Sequence, residues 1–373
     1  MAWLDALRIM AGVSMICMHA SFDWNGQPFP DFPPEERIIP VAMRTFFYMA
    51  RTELFLIISL FLLAMSLDRR PRSYGETVKE QAAHLLIPYV FWLVLYILFN
   101  FFKAWQLGYL VYLWRDLTSM VDPWAKYILL GSIRPQMHFL PTLFALVLFF
   151  PLYRYAVRYP VLGLLVFALL YAKRELNILV YENVAEIYEP YALRIARILT
   201  YTGYGFVGAA FYGLLVSPQY TRWRLLVLIG LGVLGAWALN VKYHYVWAVV
   251  ENGHWTHNFP GRYWANLVLP IVLFGALMLV PLRYPKWIGV LAPYSFGIFL
   301  CHPLFLDLFH IVVRDSIGNP TLYVWLKLVW GVSMSFLLIW WMGRQSWLAW
   351  TVGLGKLPDF GRYFRRSRTA LLP

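Results

Sequence analysis

Long apolar segments recur along the whole chain, and they constrain its fold more than any other feature. Two are unambiguous: the run LFLIISLFLLAMSL at 54–67 and the run LLVLIGLGVLGAWAL at 225–239. A membrane-spanning helix needs about 20 mostly apolar residues, whereas a strand of a membrane barrel needs only about ten alternating ones. The sequence therefore predicts an all-α polytopic membrane protein.

Hydropathy predicts about ten transmembrane helices. They are placed at 3–22, 44–67, 85–105, 139–158, 160–173, 198–216, 223–241, 264–282, 289–312 and 322–344. The fifth is short and needs tilt to cross about 30 Å of hydrocarbon. With 61% hydrophobic and only 14% charged residues, the chain is far more apolar than a soluble domain.

Basic residues in the short connections predict the orientation, because Lys and Arg are enriched in cytoplasmic loops. With ten spans, these residues fall on one side: Arg69, Arg70, Arg72, Lys79, Arg154, Arg158, Arg222, Arg224, Arg283, Lys286, Lys356, Arg362, Arg365, Arg366 and Arg368. Both termini are then cytoplasmic, with a transmembrane domain at 1–345 and a basic tail at 346–373. The expected location is the inner (plasma) membrane, with multiple passes.

The formal net charge of +13 follows from this bias and suits contact with anionic membrane lipids. A nucleic-acid partner is not expected, because the charge is not on one face of a soluble domain. The connections on the opposite side, at 23–43, 106–138, 174–197 and 242–263, are longer and rich in aromatic and acidic residues. Such residues suit sugar binding, but they are also common in interfacial belts and loop packing.

The first predicted span contains two polar residues, Arg8 and His19, eleven positions apart. This is three helical turns plus about 20°, so both lie on one face, roughly 16 Å apart along the axis. An ionisable residue inside a span is costly and usually functional. The alternative is that Arg8 anchors the helix at the interface, or pairs with Asp5, and that His19 only packs.

Five segments carry a further signal. In chain order they are LDALRIMAGVSMICMHA at 4–20, RTELFLIISLFLLAMSL at 51–67, RRPR at 69–72 with LLIPYVFW at 85–92, MHFLPTLFA at 137–145 and YSFGIFLCHPLFL at 294–306. Together they resemble the membrane-bound acyltransferase-3 family of glycan O-acyltransferases, whose first helix carries Arg, ten residues, then His. The chain departs from the family pattern at Ile9, Leu60 and Phe139, where Gly, Gly and Trp are common.

The resemblance implies transfer of an acyl group from cytosolic acyl-coenzyme A (acyl-CoA) to a hydroxyl of a periplasmic or cell-surface glycan, or of a lipid-linked saccharide. Acyl-CoA is then a donor co-substrate, and no permanently bound cofactor or metal is expected. Acetyl and succinyl both stay open as the acyl group, and so does a homo-oligomer.

Coenzyme A is polyanionic, and arginine binds phosphate through a bidentate fork. Arg69 and Arg72, with Arg8 from the first span, are therefore predicted to form a cytoplasmic phosphate clamp. Arg70 has the alternative role of satisfying only the positive-inside bias.

The chemistry also needs a base beside the acceptor hydroxyl, and histidine titrates in a suitable range. His19 is predicted to be this general base, and an acyl-histidine intermediate stays open. Glu53 or His302 would orient or assist it, and His138 is the fourth candidate. These four residues are expected to meet in a polar cavity. For His138 and His302, an interhelical hydrogen bond is an equally good interpretation.

Rival functions have weaker support in the sequence. A transporter or flippase of lipid-linked sugar would use histidines as a proton relay, but no repeated halves are evident. A glycosyltransferase acting on lipid-linked sugar would need acidic clusters in an outer loop. The pair His254 and His257 lacks the adjoining glutamate and third ligand of a zinc site.

Overall fold

The computed structural model describes residues 1–313 and 317–356, and the regular elements in this part of the chain are all helical. The α-helices are Ala2–Ala20 (α1), Pro34–Phe47 (α2), Thr52–Arg69 (α3), Tyr74–Gln106 (α4), Leu110–Ser119 (α5), Asp122–Ala125 (α6), Phe139–Val147 (α7), Phe150–Arg158 (α8), Leu165–Asn183 (α9), Glu189–Val216 (α10), Trp223–Asn252 (α11), Arg262–Leu279 (α12), Lys286–Leu291 (α13), Ser295–Val313 (α14) and Pro320–Arg344 (α15). The tail arginines at 362–368 lie outside the described residues.

Seven helical segments in the described part are long and apolar enough to cross a membrane, or eight if the bent pair α7 and α8 forms one span. The prediction of a multi-pass all-α membrane protein is confirmed at this level. The helices α1 and α9, which match the first and fifth predicted spans, are each 19 residues long but are not among the seven. The count of ten and the orientation of the termini therefore stay predictions.

The breaks in two of the predicted spans bear on the position of the candidate site residues. The segment predicted at 139–158 consists of α7 and α8, which are bent by 68° relative to each other. Pro151 explains the break, because proline lacks a backbone N–H and clashes with the preceding turn of a continuing helix. The segment predicted at 44–67 is interrupted by a 3₁₀ turn at Tyr48–Ala50 and by the extended backbone of Arg51. This second break places Arg51 and Glu53 at a helix start.

The helix α10 is deeply buried and packs against α3, α8 and α9. Its small residues permit this close approach, as is common between helices in membranes. A Cβ atom at Gly208 would lie 3.0 Å from the carbonyl oxygen of Ile57, and one at Gly213 would overlap that of Val157. The same helix carries Tyr201 and Tyr204 into the interior.

The helix α1 packs against α14 and also contacts α2 and α15. The contact with α14 is close at Gly12, where an added Cβ would lie 3.5 Å from Ser295. Because α1 and α14 lie side by side, the histidine near the C-terminal end of α1 reaches the histidine in the middle of α14.

The predicted orientation can be tested with single cysteines at exposed positions. Asn25→Cys and Ser119→Cys are expected to react with a membrane-impermeant maleimide added to intact cells, and Gly75→Cys only after permeabilisation. The wild-type protein is a suitable background because Cys17 and Cys301 are both buried. Labelling of Gly75→Cys alone from outside would reverse the topology.

Candidate active site

His19 and His302 face each other across the contact of α1 with α14. Their ring centroids are 5.4 Å apart, and His302 is fully buried. The Nδ1 atom of His302 lies 2.9 Å from the carbonyl oxygen of Phe299, and a carbonyl only accepts, so Nδ1 carries the proton of the neutral ring. The Nε2 atoms of both histidines are buried and have no hydrogen-bond partner. Neither nitrogen is therefore engaged by a hydrogen bond within the described protein.

Two cations flank the end of α1 that carries His19. The guanidinium of Arg44 and the ammonium group of Lys327 lie 4.9 and 4.6 Å from the centroid of the Phe22 ring, against which His19 also packs. Arg44 donates to the carbonyl of Met18 at 2.6 Å, and Lys327 to that of Phe22 at 3.2 Å. Fixed positive groups of this kind stabilise an oxyanion that develops near them.

Sequence reasoning missed Lys327, although a signal was present. This lysine is 0% exposed and interrupts the apolar run LYVWLKLVW at 322–330. An ionisable residue inside an otherwise apolar span indicates a functional site by default. Lys242 is also buried, in α11, but the sequence places it just outside the span predicted at 223–241, so this signal is absent there.

Glu53 is held in place by two neighbours rather than pointing freely at the histidine pair. Its carboxylate is 2% exposed, lies 2.6 Å from the guanidinium of Arg51 and accepts a 2.7 Å hydrogen bond from the hydroxyl of Tyr201. Arg51 in turn stacks on Tyr48 at 4.4 Å and donates to its hydroxyl. This arrangement gives Glu53 the character of a fixed counter-ion.

Glu53→Gln is therefore expected to destabilise the protein, because it removes the charge that balances Arg51. The free energy of unfolding should fall by about 1.5 kcal/mol or more, which is the contribution of a hydrogen bond to a charged group. Thermal unfolding in detergent measures it, with Glu182→Gln at an exposed position as the matched control. Equal unfolding temperatures for the two variants would show that the Arg51–Glu53 pair adds nothing to stability.

Glu53 and His138 both line a cavity of about 430 Å³. The other residues of its wall are Tyr48, Arg51, Thr52, Lys173, Arg197, Tyr201, His257, Arg262, Tyr263, Asn266 and Leu267. A second cavity of about 280 Å³ adjoins it through four shared residues and adds Arg44, Thr45, Lys242, Tyr245 and Trp255. We call the two together the basic cavity.

His138 is positioned by the loop that precedes α7. Arg194 donates to the carbonyl of His138 at 3.1 Å and also to that of Leu130, which fastens both ends of this loop. Gly131 is required in the loop, because it has a φ of 63° and a Cβ there would lie 2.8 Å from the Cα of His138. The Nδ1 atom of His138 forms a hydrogen bond with the carbonyl oxygen of Pro135, which leaves Nε2 for a ligand.

The four predicted catalytic residues thus form two pairs, His19 with His302 and Glu53 with His138. Neither histidine of the first pair lines the basic cavity. Three buried phenylalanine rings connect the pairs: Phe55, Phe139 and Phe299, with ring centroids 4.8–5.9 Å apart. Arg44 provides a second connection, because it binds the end of α1 and also lines the cavity.

The predicted arginine clamp has carboxylates near two of its three members. Arg8 lies 3.6 Å from Asp5, which is the pairing that the sequence offered as an alternative. Arg72 forms an ion pair with Glu80 and donates to the hydroxyl of Ser66 at 2.7 Å. Arg69 is exposed, and no described carboxylate lies within ion-pair distance of it. A bound phosphate would compete with Asp5 and Glu80.

Comparison with known proteins identifies the family. The model of the Acyl_transf_3 family, described as an acyltransferase domain, matches residues 1–344. No curated protein and no solved structure matches the chain with statistical significance. The matched region contains α1 to α15, and with them both histidine-containing pairs and the basic cavity. The chain therefore belongs to the acyltransferase-3 family.

Proposed function

We propose that this membrane acyltransferase moves an acyl group, acetyl or succinyl, from cytosolic acyl-CoA to a hydroxyl of a glycan or lipid-linked saccharide on the opposite face of the inner membrane. The observation that carries the proposal is the pairing of His19 with His302. Two facing imidazoles with buried, unpartnered Nε2 atoms, flanked by Arg44 and Lys327, have the groups that acyl transfer needs.

In the proposed reaction, Nε2 of His19 accepts the proton of the acceptor hydroxyl. The hydroxyl oxygen attacks the thioester carbonyl and forms a tetrahedral oxyanion, which Arg44 and Lys327 stabilise. The carbon–sulfur bond then breaks, and the imidazolium of His19 returns its proton to the departing thiolate. The products are the acylated acceptor and free coenzyme A.

His302 is proposed to be a positioning residue. Its Nδ1–H is fixed by the carbonyls of Phe299 and Ile298 at 2.9 and 3.2 Å, so its tautomer and ring orientation are set. With its proton on Nδ1, His302 presents Nε2 only as an acceptor. It would accept a hydrogen bond from a second hydroxyl of the saccharide and thereby hold the reacting hydroxyl next to His19.

The donor is proposed to stay on the cytoplasmic side, with its phosphates at Arg8, Arg69 and Arg72. The helix α1 is continuous from Ala2 to Ala20, so Arg8 and His19 are about 16 Å apart along its axis. The pantetheine arm of coenzyme A has a comparable length and would carry the thioester to His19. Only the acylated pantetheine arm then enters the membrane, which avoids the cost of moving the phosphates through lipid.

The proposal is tested with purified protein in proteoliposomes that contain a glycan extract of the native cells. Radiolabelled acetyl-CoA and succinyl-CoA are supplied in separate reactions, and both the released thiol and the label in the glycan are measured. We expect one donor to be consumed with equal amounts of thiol and acylated glycan, and none in liposomes without protein. Transport of a lipid-linked saccharide with no acyl-CoA consumption would favour a flippase and overturn the proposal.

A further inference from the structure

The basic cavity carries a large excess of positive charge. Six of its wall residues are cations: Arg44, Arg51, Lys173, Arg197, Lys242 and Arg262. Glu53 is the one carboxylate among the described residues of the wall, and it is paired with Arg51. No described carboxylate lies within ion-pair distance of the other five cations. Charges withdrawn from water are costly unless they are paired.

Hydrogen bonds within the protein satisfy only three of these five cations. Arg44 donates to the carbonyl of Met18, Lys242 to the side chain of Asn266, and Arg262 to the carbonyl of His257. Lys173 and Arg197 form no hydrogen bond with the described residues. Lys173 is only 9% exposed, and its nearest aromatic neighbour is the ring of Tyr263, at 5.5 Å from the centroid. Lys173 is thus a buried residue whose ammonium group has no hydrogen bond or ion pair with the described residues, and its place in the cavity wall indicates a site for an anion.

The rest of the wall fits a saccharide. The rings of Tyr48, Tyr201 and Tyr263 provide flat apolar surfaces with polar hydroxyl tips. Asn266 and the two histidines of the wall add donors and acceptors for sugar hydroxyls. A volume of about 430 Å³ lies in the range of small-molecule sites. Inorganic phosphate alone would leave most of this space and these rings without contact.

We propose that the basic cavity is the acceptor subsite and that it selects a saccharide bearing an anionic group, a carboxylate or a phosphate, which Lys173 and Arg197 bind. This inference rests on the proposed function and adds the chemical class of its acceptor. The anion neutralises the two unpartnered cations, and the sugar body lies against the tyrosine rings. The acceptor hydroxyl would then approach the histidine pair from the side of Arg44, which belongs to both regions.

The experiment compares four probes by isothermal titration with the purified full-length protein in detergent. Trigalacturonic acid tests a carboxylate saccharide, glucose 1-phosphate a phosphate saccharide, inorganic phosphate the anion alone, and maltotriose a neutral saccharide. We expect at least one anionic saccharide to bind about tenfold or more tightly than maltotriose and inorganic phosphate, as for one charge-assisted contact. The preference should weaken as salt is added.

Lys173→Gln and Arg197→Gln should each remove most of this preference, and Lys173→Arg should restore part of it. Arg174→Gln is the matched control, because Arg174 is the exposed neighbour of Lys173 on α9 and does not line the cavity. If maltotriose binds the wild-type protein as tightly as the anionic saccharides or more tightly, the inference is overturned. This comparison uses only the wild-type protein and does not depend on whether a variant folds. Loss of the preference in Arg174→Gln as well would also overturn the inference.

The release of thiol from acyl-CoA, measured on the same preparations, separates the two proposals. If acyl transfer occurs but the wild-type protein does not prefer anionic saccharides, only the assignment of the acceptor class fails. If the anionic saccharide binds through Lys173 and Arg197 but acyl-CoA is never consumed, the proposed function fails and the anion site stands.

Discussion

His19→Ala is expected to reduce acyl transfer by about 10²- to 10⁴-fold, the usual contribution of a positioned general base. The imidazole is the group proposed to take the proton of the acceptor hydroxyl, and alanine cannot replace it. Binding of coenzyme A should stay nearly unchanged, because the proposed phosphate contacts lie at the other end of α1. The variant should also fold, since the Nε2 atom that it removes forms no hydrogen bond in the protein.

The measurement compares label transferred from acyl-CoA to glycan at equal amounts of purified protein, with coenzyme A binding as a second readout. His84→Ala is the matched control, because His84 is an exposed histidine on α4. A near wild-type rate for His19→Ala would assign His19 a packing role. The base would then have to be sought at His302 or at His138 in the basic cavity.

Arg72→Ala is expected to weaken coenzyme A binding by roughly ten- to hundredfold, which corresponds to about 1.5–3 kcal/mol for one charge-assisted hydrogen bond. Arg72→Lys should recover only part of the affinity, because an ammonium group keeps the charge but not the bidentate fork. Glu80→Gln should have the opposite effect and strengthen binding. It removes the carboxylate that Arg72 now contacts and that phosphate must displace.

Binding of a fluorescent coenzyme A analogue to the purified variants measures these changes. Arg70→Ala is the control, since Arg70 is an exposed arginine of the same RRPR segment to which no phosphate contact is assigned. Equal losses in Arg70→Ala and Arg72→Ala would indicate a general effect of surface charge. Unchanged binding in both Arg69→Ala and Arg72→Ala would remove the clamp.

Hydropathy predicts the helical membrane fold, because the apolar character of a segment is a local property of the sequence. Helical spacing is also local, and it predicts that Arg8 and His19 lie on one face of α1. His302 likewise lies within a single segment, the one that forms α14. These local properties do not predict the breaks after Phe47 and after Val147. At Arg51 the helix is interrupted, and the Arg51 side chain forms an ion pair with Glu53. At Pro151 the proline ring prevents α7 from continuing into α8 as one helix.

The arrangement of the site depends on contacts between distant segments, and no single-segment pattern contains them. The sequence predicts that His19 and Glu53 share a cavity, whereas the rings of Phe55, Phe139 and Phe299 lie between their regions. Lys173 and Arg197 lie near the two ends of the predicted outer connection 174–197. A basic residue at such a position does not by itself indicate a functional site. The two residues stand out only when α9 and α10 bring them into one wall whose single described carboxylate, Glu53, is already paired with Arg51.

The buried lysines Lys242 and Lys327 have a consequence for how the chain enters the membrane during synthesis. A lysine at the centre of a helix raises its insertion free energy by about 2.5–3.5 kcal/mol. The most apolar 18-residue stretches of the helices that carry Lys242 and Lys327 have mean hydropathies of 1.9 and 1.8, so the leucines and valines of these helices offset the cost. Selection for efficient biogenesis alone would replace both lysines with apolar residues. The yield of a variant at either position therefore reports on insertion and says nothing about whether the enzyme works.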